Sequence, residues 1–208
     1  MESYNKLIIG GIAMISPLAL NAVQKSGANK KPNIIFILTD DQRWDAMGYA
    51  GNKNIQTPAM DKLAQDGVYF RNAFVTTPIS AASRASILTG LYERTHGYTF
   101  QTGNIYDKYI EQSYPVILKK NGYRTGFFGK FGVDHADPES LFDEAETYDR
   151  HNTYGYYFKT INNDTVHLTS YTGHLARKFI EASNVDTPFC ISISFSAPHA
   201  HEIGRAHV

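Results

Sequence analysis

The sequence predicts an α/β domain built on a mostly parallel sheet sandwiched by helices. Three observations predict it. Strand-like apolar runs alternate along the chain with helical segments that carry their own start and stop residues. The first of these runs, "NIIFILTDD" from Asn33 to Asp41, is continuously apolar until its acids, the pattern of a central parallel strand buried on both faces. Residues able to do chemistry stand just past the ends of such runs, where open α/β sheets hold their ligands.

Taken in order, "TPAMDKLAQDG" reads as a helix. Thr57 is expected to cap it, Pro58 suits its first turn, Gly67 stops it, and Ala59, Met60, Leu63 and Ala64 share one face. "VYFRNAFV" (Val68 to Val75) is the next strand candidate. Ser83 to Thr89 reads as a short helix stopped by Gly90, with Ser80 just ahead of it. A further helix is expected from Ser113 to the Asn121-Gly122 stop, followed by a strand from Tyr123 to Phe128 with Lys130 just beyond. The polar, tyrosine-rich stretch "YDRHNTYGYYFKTINNDT" is expected to be an excursion or hairpin outside the sheet, the alternative being a cleft wall that stacks on sugar rings. Its Asn163-Asp164-Thr165 is a glycosylation acceptor by spelling alone. "YTGHLARKFIEAS" spaces Tyr171, Leu175 and Phe179 by four as a helix face, and "FCISISF" then reads as a buried strand running into "SAPHAH".

Both ends carry expectations of another kind. Residues 1–22 have the short basic start, 16-residue apolar run and small-residue exit of a secretory signal, too short and too broken by Pro17 and two glycines for a membrane span. This predicts a secreted or periplasmic protein with no stable membrane insertion after cleavage. Residues 23–201 would then form the N-terminal part of one folded domain. "EIGRAHV" (Glu202 to Val208) translates the start of a common short-read sequencing adapter. It is expected to be read-through, with the natural protein continuing past His201.

Composition narrows the function classes. At 208 residues and 42% hydrophobic content the chain can bury a sizeable core and is not a disordered segment. Twenty basic and twenty acidic residues balance to zero formal charge, which argues against a nucleic-acid partner. The single cysteine, Cys190, excludes an intrachain disulfide.

Four clusters are expected to converge: Asp40 with Asp41, Ser80 with Arg84, Lys130, and His199. Paired hard carboxylates suit an oxygen-preferring cation, Ca²⁺ ahead of Mg²⁺. Arg84, one helical turn beyond Ser80, can fold back toward it. A helix N-terminus with an arginine favours an anionic oxyacid such as sulfate or phosphate. A bare serine is a poor nucleophile and needs activation.

These residues carry a resemblance. "SAASRASILTG" resembles the signature of the formylglycine-dependent (type I) sulfatases of the alkaline phosphatase superfamily, with Ser80 at the modified position, Ala82 where proline or alanine stands, then Ser83 and Arg84 and a Thr-Gly ending. "PNIIFILTDDQRWDAMGYAGN" is similar to that family's first strand and metal-binding acids, "GYRTGFFGKFG" to its Gly-Lys motif, and "PFCISISFSAPHAH" to its Pro-His motif. The match runs from about Pro32 to His201. It implies an alkaline phosphatase-like fold, truncated at its C-terminus.

The resemblance also implies chemistry. Ser80 would be oxidised by a formylglycine-generating maturase that reads Ser80, Ala82, Ser83 and Arg84. One oxygen of the hydrated aldehyde would attack sulfur and the substrate alcohol would leave. The other hydroxyl would then lose its proton, expel sulfate and restore the aldehyde. Asp40, Asp41 and the modified Ser80 would ligate Ca²⁺, and Arg84 would stabilise the diol. Lys130 and His199 would hold the sulfate, with His199 a candidate acid for the leaving oxygen. The implied substrate is a sulfated carbohydrate. Two departures stand out. Gly132 occupies the place where many members have a histidine, with His135 the nearby candidate for its role. The family's remaining metal ligands would fall beyond His201, which makes the 208-residue chain an incomplete, inactive portion. Two other readings stay open: a phosphoester hydrolase using unmodified Ser80, and a secreted glycan-binding protein without turnover.

Overall fold

A computed structural model of the chain describes residues 31–148 and 157–199. The expected signal at residues 1–22 and the read-through at 202–208 lie outside the described residues, as does most of "YDRHNTYG".

Six strands and six α-helices are described. They are β1 (Ile34–Leu38), α1 (Pro58–Asp66), α2 (Ser80–Thr89), α3 (Glu93–His96), α4 (Asp107–Ile110), α5 (Tyr114–Lys120), β2 (Arg124–Gly129), β3 (Glu144–Thr147), β4 (Phe158–Ile161), β5 (Asp164–His167), α6 (Leu168–Glu181) and β6 (Phe189–Ser194). Four strands form one wholly parallel sheet in the order β1-β6-β2-β3. The last strand in sequence therefore lies between the first two, in a register that sets Ile37 and Phe128 on either side of Ile193. This insertion brings the carboxyl ends of β1, β6 and β2 side by side.

Side chains alternate across the sheet and fill two cores. On one face Phe127 joins Ala81, Ala85 and Leu88 of α2, with Tyr114 and Val116 of α5 packed against them. On the other, Phe128, Ile191 and Ile193 pack with Ala176 and Phe179 of α6. Phe179 is fully buried and lies so close to β2 that a Cβ on Gly126 would come within 2.7 Å of its ring. The tyrosine-rich excursion ends in the hairpin β4–β5, a separate two-stranded sheet. Its turn residues Asn162 and Asn163 have φ of 51° and 70°, the left-handed pair that a tight hairpin needs and asparagine tolerates.

Four expectations are corrected. β1 is not central: it is the edge of the described sheet, and Ile35 and Ile37 are 51% and 49% exposed. Its apolar run suits two-sided burial, but among the described residues β6 is its only strand neighbour. Val68 to Val75 forms no strand, and Phe70 and Phe74 are exposed. A strand exists by pairing, and Arg71-Asn72 breaks the apolar run before it could present a continuous edge. Thr57 precedes α1 but does not cap it. Its hydroxyl donates to Asp61 Oδ1 at 2.8 Å and accepts from the Gly48 N–H, and the expected apolar face of α1 buries no residue. The helix expected from Ser83 begins at Ser80, so Ser80 is its first residue.

Candidate active site

The site lies at the carboxyl end of the sheet. β1 delivers Asp40, whose N–H donates to Ala197 O at 3.1 Å and so ties it to the loop after β6. Asp41 follows with φ 61°, a left-handed conformation that aspartate tolerates, and its carboxylate is turned toward the His199 ring, Nε2 to Oδ2 3.4 Å. β2 ends at Gly129 with φ 121°. A Cβ there would lie 1.9 Å from Ser194 O, so only glycine lets the strands close and Lys130 N–H donate to that same carbonyl at 2.9 Å.

Arg84 is the hub. It is buried, and its guanidinium addresses three strand ends and the start of its own helix. Nε donates to Ser80 Oγ at 3.1 Å. Nη1 donates to Lys130 O at 2.8 Å and to Ser194 Oγ at 2.7 Å. Nη2 stands 3.5 Å from Asp40 Oδ1, and Lys130 Nζ donates to the other oxygen, Oδ2, at 2.6 Å. Asp40 is thus a buried carboxylate flanked by two cations, the pairing that makes a buried charge tolerable. Ser80, Arg84, Lys130 and Asp40 form one contiguous cluster, and His199 and Asp41 form a pair on the residue next to Asp40. Along the stretch from Ser80 to Arg84, Ala82 and Arg84 are buried and Ser83 is half-buried.

Gly132 has φ 66°, and a Cβ at that position would meet Arg84 Cδ at 2.6 Å. Any side chain there competes with the arginine stem. His135, the neighbouring candidate, accepts from the Asp137 N–H and makes no described contact with Ser80.

Sequence reasoning missed Ser194 and His96. Ser192 and Ser194 alternate with Ile191 and Ile193, so both hydroxyls face the α2–α5 side of a wholly buried strand. Ser192 Oγ pairs with Tyr114 OH at 2.6 Å. That period-two placement of serines in "ISISF" was the legible signal. His96, buried at the end of α3, accepts from the Tyr98 N–H on Nδ1 and therefore offers its Nε2–H to Ser86 Oγ at 3.0 Å. Tyr98 OH in turn accepts from the Asp134 N–H at 2.6 Å. The chain of contacts joins α2 to the loop after Lys130. Burial pushes the His96 ring below its ordinary value.

As a cation site the cluster fits in kind: Asp40, Asp41 and Ser80 offer oxygen donors only. It does not fit in number, because Ca²⁺ takes about six to eight oxygens. No group of three or more His, Cys, Asp or Glu side chains that could hold a metal gathers among the described residues.

Comparison with known proteins agrees with the geometry. The family described as Sulfatase matches residues 32–205. An N-acetylglucosamine-6-O-sulfatase of Bacteroides thetaiotaomicron is 31% identical over 205 residues, covering 96% of this chain and 36% of that protein. An ulvan-active sulfatase of Formosa agariphila is 31% identical over 229 residues, covering 94% of this chain and 44% of its own length. A solved protein in complex with its substrate, D-glucosamine-2-N,6-O-disulfate, superposes with a TM-score of 0.68 at 29% identity over 82% of this chain and 35% of that one. The chain thus spans less than half the length of these relatives. The motif order, the parallel sheet and the cluster at its carboxyl end agree with these matches on one conclusion: this chain belongs to the sulfatase family.

Proposed function

We propose that the whole protein is a sulfuric ester hydrolase that releases sulfate from a sulfated glycan through a nucleophile made from Ser80. The observation that carries this reading is the Arg84 Nε–H donated to Ser80 Oγ at the first residue of α2, beside the Lys130–Asp40 pair. An arginine donating to a hydroxyl does not draw off its proton, so the described contacts of Ser80 supply no general base. That favours a rebuilt side chain over direct attack by serine. The formylglycine made from Ser80 would supply an aldehyde hydrate as nucleophile, and a Ca²⁺ held in part by Asp40, Asp41 and the modified Ser80 would supply positive charge beside it.

The chain's own residues do the rest. Arg84 orients the nucleophile and brings a buried positive charge against the transferring group. Lys130 and His199 bind the sulfuryl oxygens, and His199 hands a proton to the leaving alcohol. Cations and donors fixed around a transferring oxyanion lower its barrier because they need no reorganisation. Gly132 leaves no side chain where the family pattern that this chain resembles has a histidine, and Arg84 Cδ lies against that space. Because Ala82 and Arg84 are buried, the maturase reads the signature before α2 packs. The signal expected at residues 1–22 supports a location outside the cytoplasm, secreted or periplasmic. No described helix is long and apolar enough to cross a membrane. With no larger cluster of metal-ligating side chains among the described residues, these 208 residues alone are expected to release no sulfate.

The test is sulfate release from 6-O-sulfated glucosamine by the whole protein co-expressed with a serine-type formylglycine-generating maturase. Release that Ser80→Ala abolishes supports the reading. Hydrolysis of phosphate monoesters by protein with unmodified Ser80 overturns it in favour of a phosphoester hydrolase. Glycan binding without turnover, surviving Ser80→Ala, overturns it in favour of a binding protein.

A further inference from the structure

We propose that Ser194 is the positioning residue of the site: its hydroxyl holds the Arg84 guanidinium in the orientation that directs Nε–H at Ser80. This inference rests on the functional reading above, in which Arg84 serves the nucleophile.

A guanidinium is planar, with five N–H donors in a rigid fork. Fixing its plane therefore fixes where each donor points. Here one edge is held by two acceptors from the floor of the site, Lys130 O at the end of β2 and Ser194 Oγ at the end of β6. Ser194 Oγ also donates to Lys130 O at 2.7 Å, so the hydroxyl, the carbonyl and Nη1 close a triangle. The hydroxyl proton is spent on the carbonyl, which leaves a lone pair aimed at the arginine. Ser194 is 2% exposed and Arg84 6%, so water does not readily replace either partner.

The backbone is shaped around this contact. Gly129 lets β2 and β6 approach until a Cβ would overlap Ser194 O, and Gly132 turns the next loop across the arginine stem. Both glycines have φ above 60°. The sheet floor, the loop and the helix enclose Arg84, and Ser194 is the side chain by which β6 holds it.

The chemistry explains a hydroxyl in this place. A carboxylate would orient the guanidinium equally well, but it would also neutralise it. A buried serine is a neutral acceptor: it fixes direction and leaves the positive charge for an anionic substrate. Asp40, 3.5 Å from Nη2, already shares its own charge with Lys130.

The experiment uses the whole matured protein and two readouts. The first is steady-state kinetics of sulfate release. Ser194→Ala is expected to lower kcat about 10- to 100-fold, the worth of a buried hydrogen bond to a charged group, with KM changed less than about twofold. Ser194→Thr, which keeps the hydroxyl, is expected to stay within about threefold of wild type. The second is the Arg84 Nε–H resonance in ¹⁵N NMR, which reports the guanidinium without any turnover. It is expected to exchange slowly in wild type and Ser194→Thr and fast in Ser194→Ala. If Ser194→Ala does not fold, Ser194→Cys, a weaker acceptor, carries the same comparison. Wild-type kcat in the alanine variant overturns the proposal, and so does an unchanged Arg84 resonance. Failure of the functional reading looks different: wild type releases no sulfate, while the resonance still responds to Ser194→Ala.

Discussion

β1 and β6 are hydrogen-bonded neighbours with opposite fates. β1, "IIFIL", is entirely apolar, yet four of its five residues are exposed. β6, "FCISIS", is one-third serine and every residue is buried. Composition ranks them the wrong way round. What separates them is position: β6 has a strand on each side and a helix layer over each face, whereas β1 has β6 on one side and no second strand among the described residues. Burial belongs to the assembled sheet, not to the segment. The polar residues of the buried strand are the informative ones, because each must be satisfied: Ser192 by Tyr114, Ser194 by Arg84 and Lys130.

The comparison can be broken by substitution at matched positions. The largest effect is expected at Ile191, which is fully buried between α6 and the sheet. Ile191→Ala should cost about 2–5 kcal/mol in denaturant unfolding, through lost burial and the cavity left behind. Next comes Ser192→Ala, which strips the partner from the Tyr114 hydroxyl and should cost about 1–3 kcal/mol. Burial pushes the Tyr114 hydroxyl well above the ordinary tyrosine range, so spectrophotometric titration should find it still protonated when exposed tyrosines have ionised. A smaller effect is expected at His96. Its folded value lies below the ordinary 6.5, so its contribution is complete above that pH. It is lost as pH falls from there through the lowered folded value, because the unfolded chain takes up the proton first. Unfolding midpoints across that window should show this slope, and His96→Asn should remove it. The smallest effect is expected at Ile35, 51% exposed on β1, where Ile35→Ala should cost under about 1 kcal/mol. A cost equal to that of Ile191→Ala would mean that β1 is not an edge in solution.

Much of the fold was legible because its punctuation is local. Pro58, Gly90 and Asn121-Gly122 mark helix ends that the structure keeps, and the strands at Arg124 and Phe189 lie where their apolar runs predicted. The hairpin outside the sheet was legible from the polarity of its surroundings. β1's edge position was not, because it depends on β6, whose pairing partner lies about 150 residues away and leaves no local trace. Asp40, Ser80, Arg84 and Lys130 were legible as separate motifs, and their places just past predicted strand ends and at a helix start carried the expectation that they converge. Ser194 was not singled out: a serine in an apolar strand looks like a tolerated small residue until the arginine from α2 is placed against it. Gly132 was noticed as a departure, but the arginine stem lying over it is visible only in three dimensions.

The central claim is that Ser80 is the precursor of the nucleophile. Mass spectrometry of the peptide carrying Ser80, from protein co-expressed with a serine-type maturase, tests it most directly. The account predicts a peptide lighter by about 2 Da, the loss of two hydrogens on oxidation of the side chain to the aldehyde, together with sulfate release. An unmodified Ser80 in protein that nevertheless hydrolyses its ester substrate would contradict it.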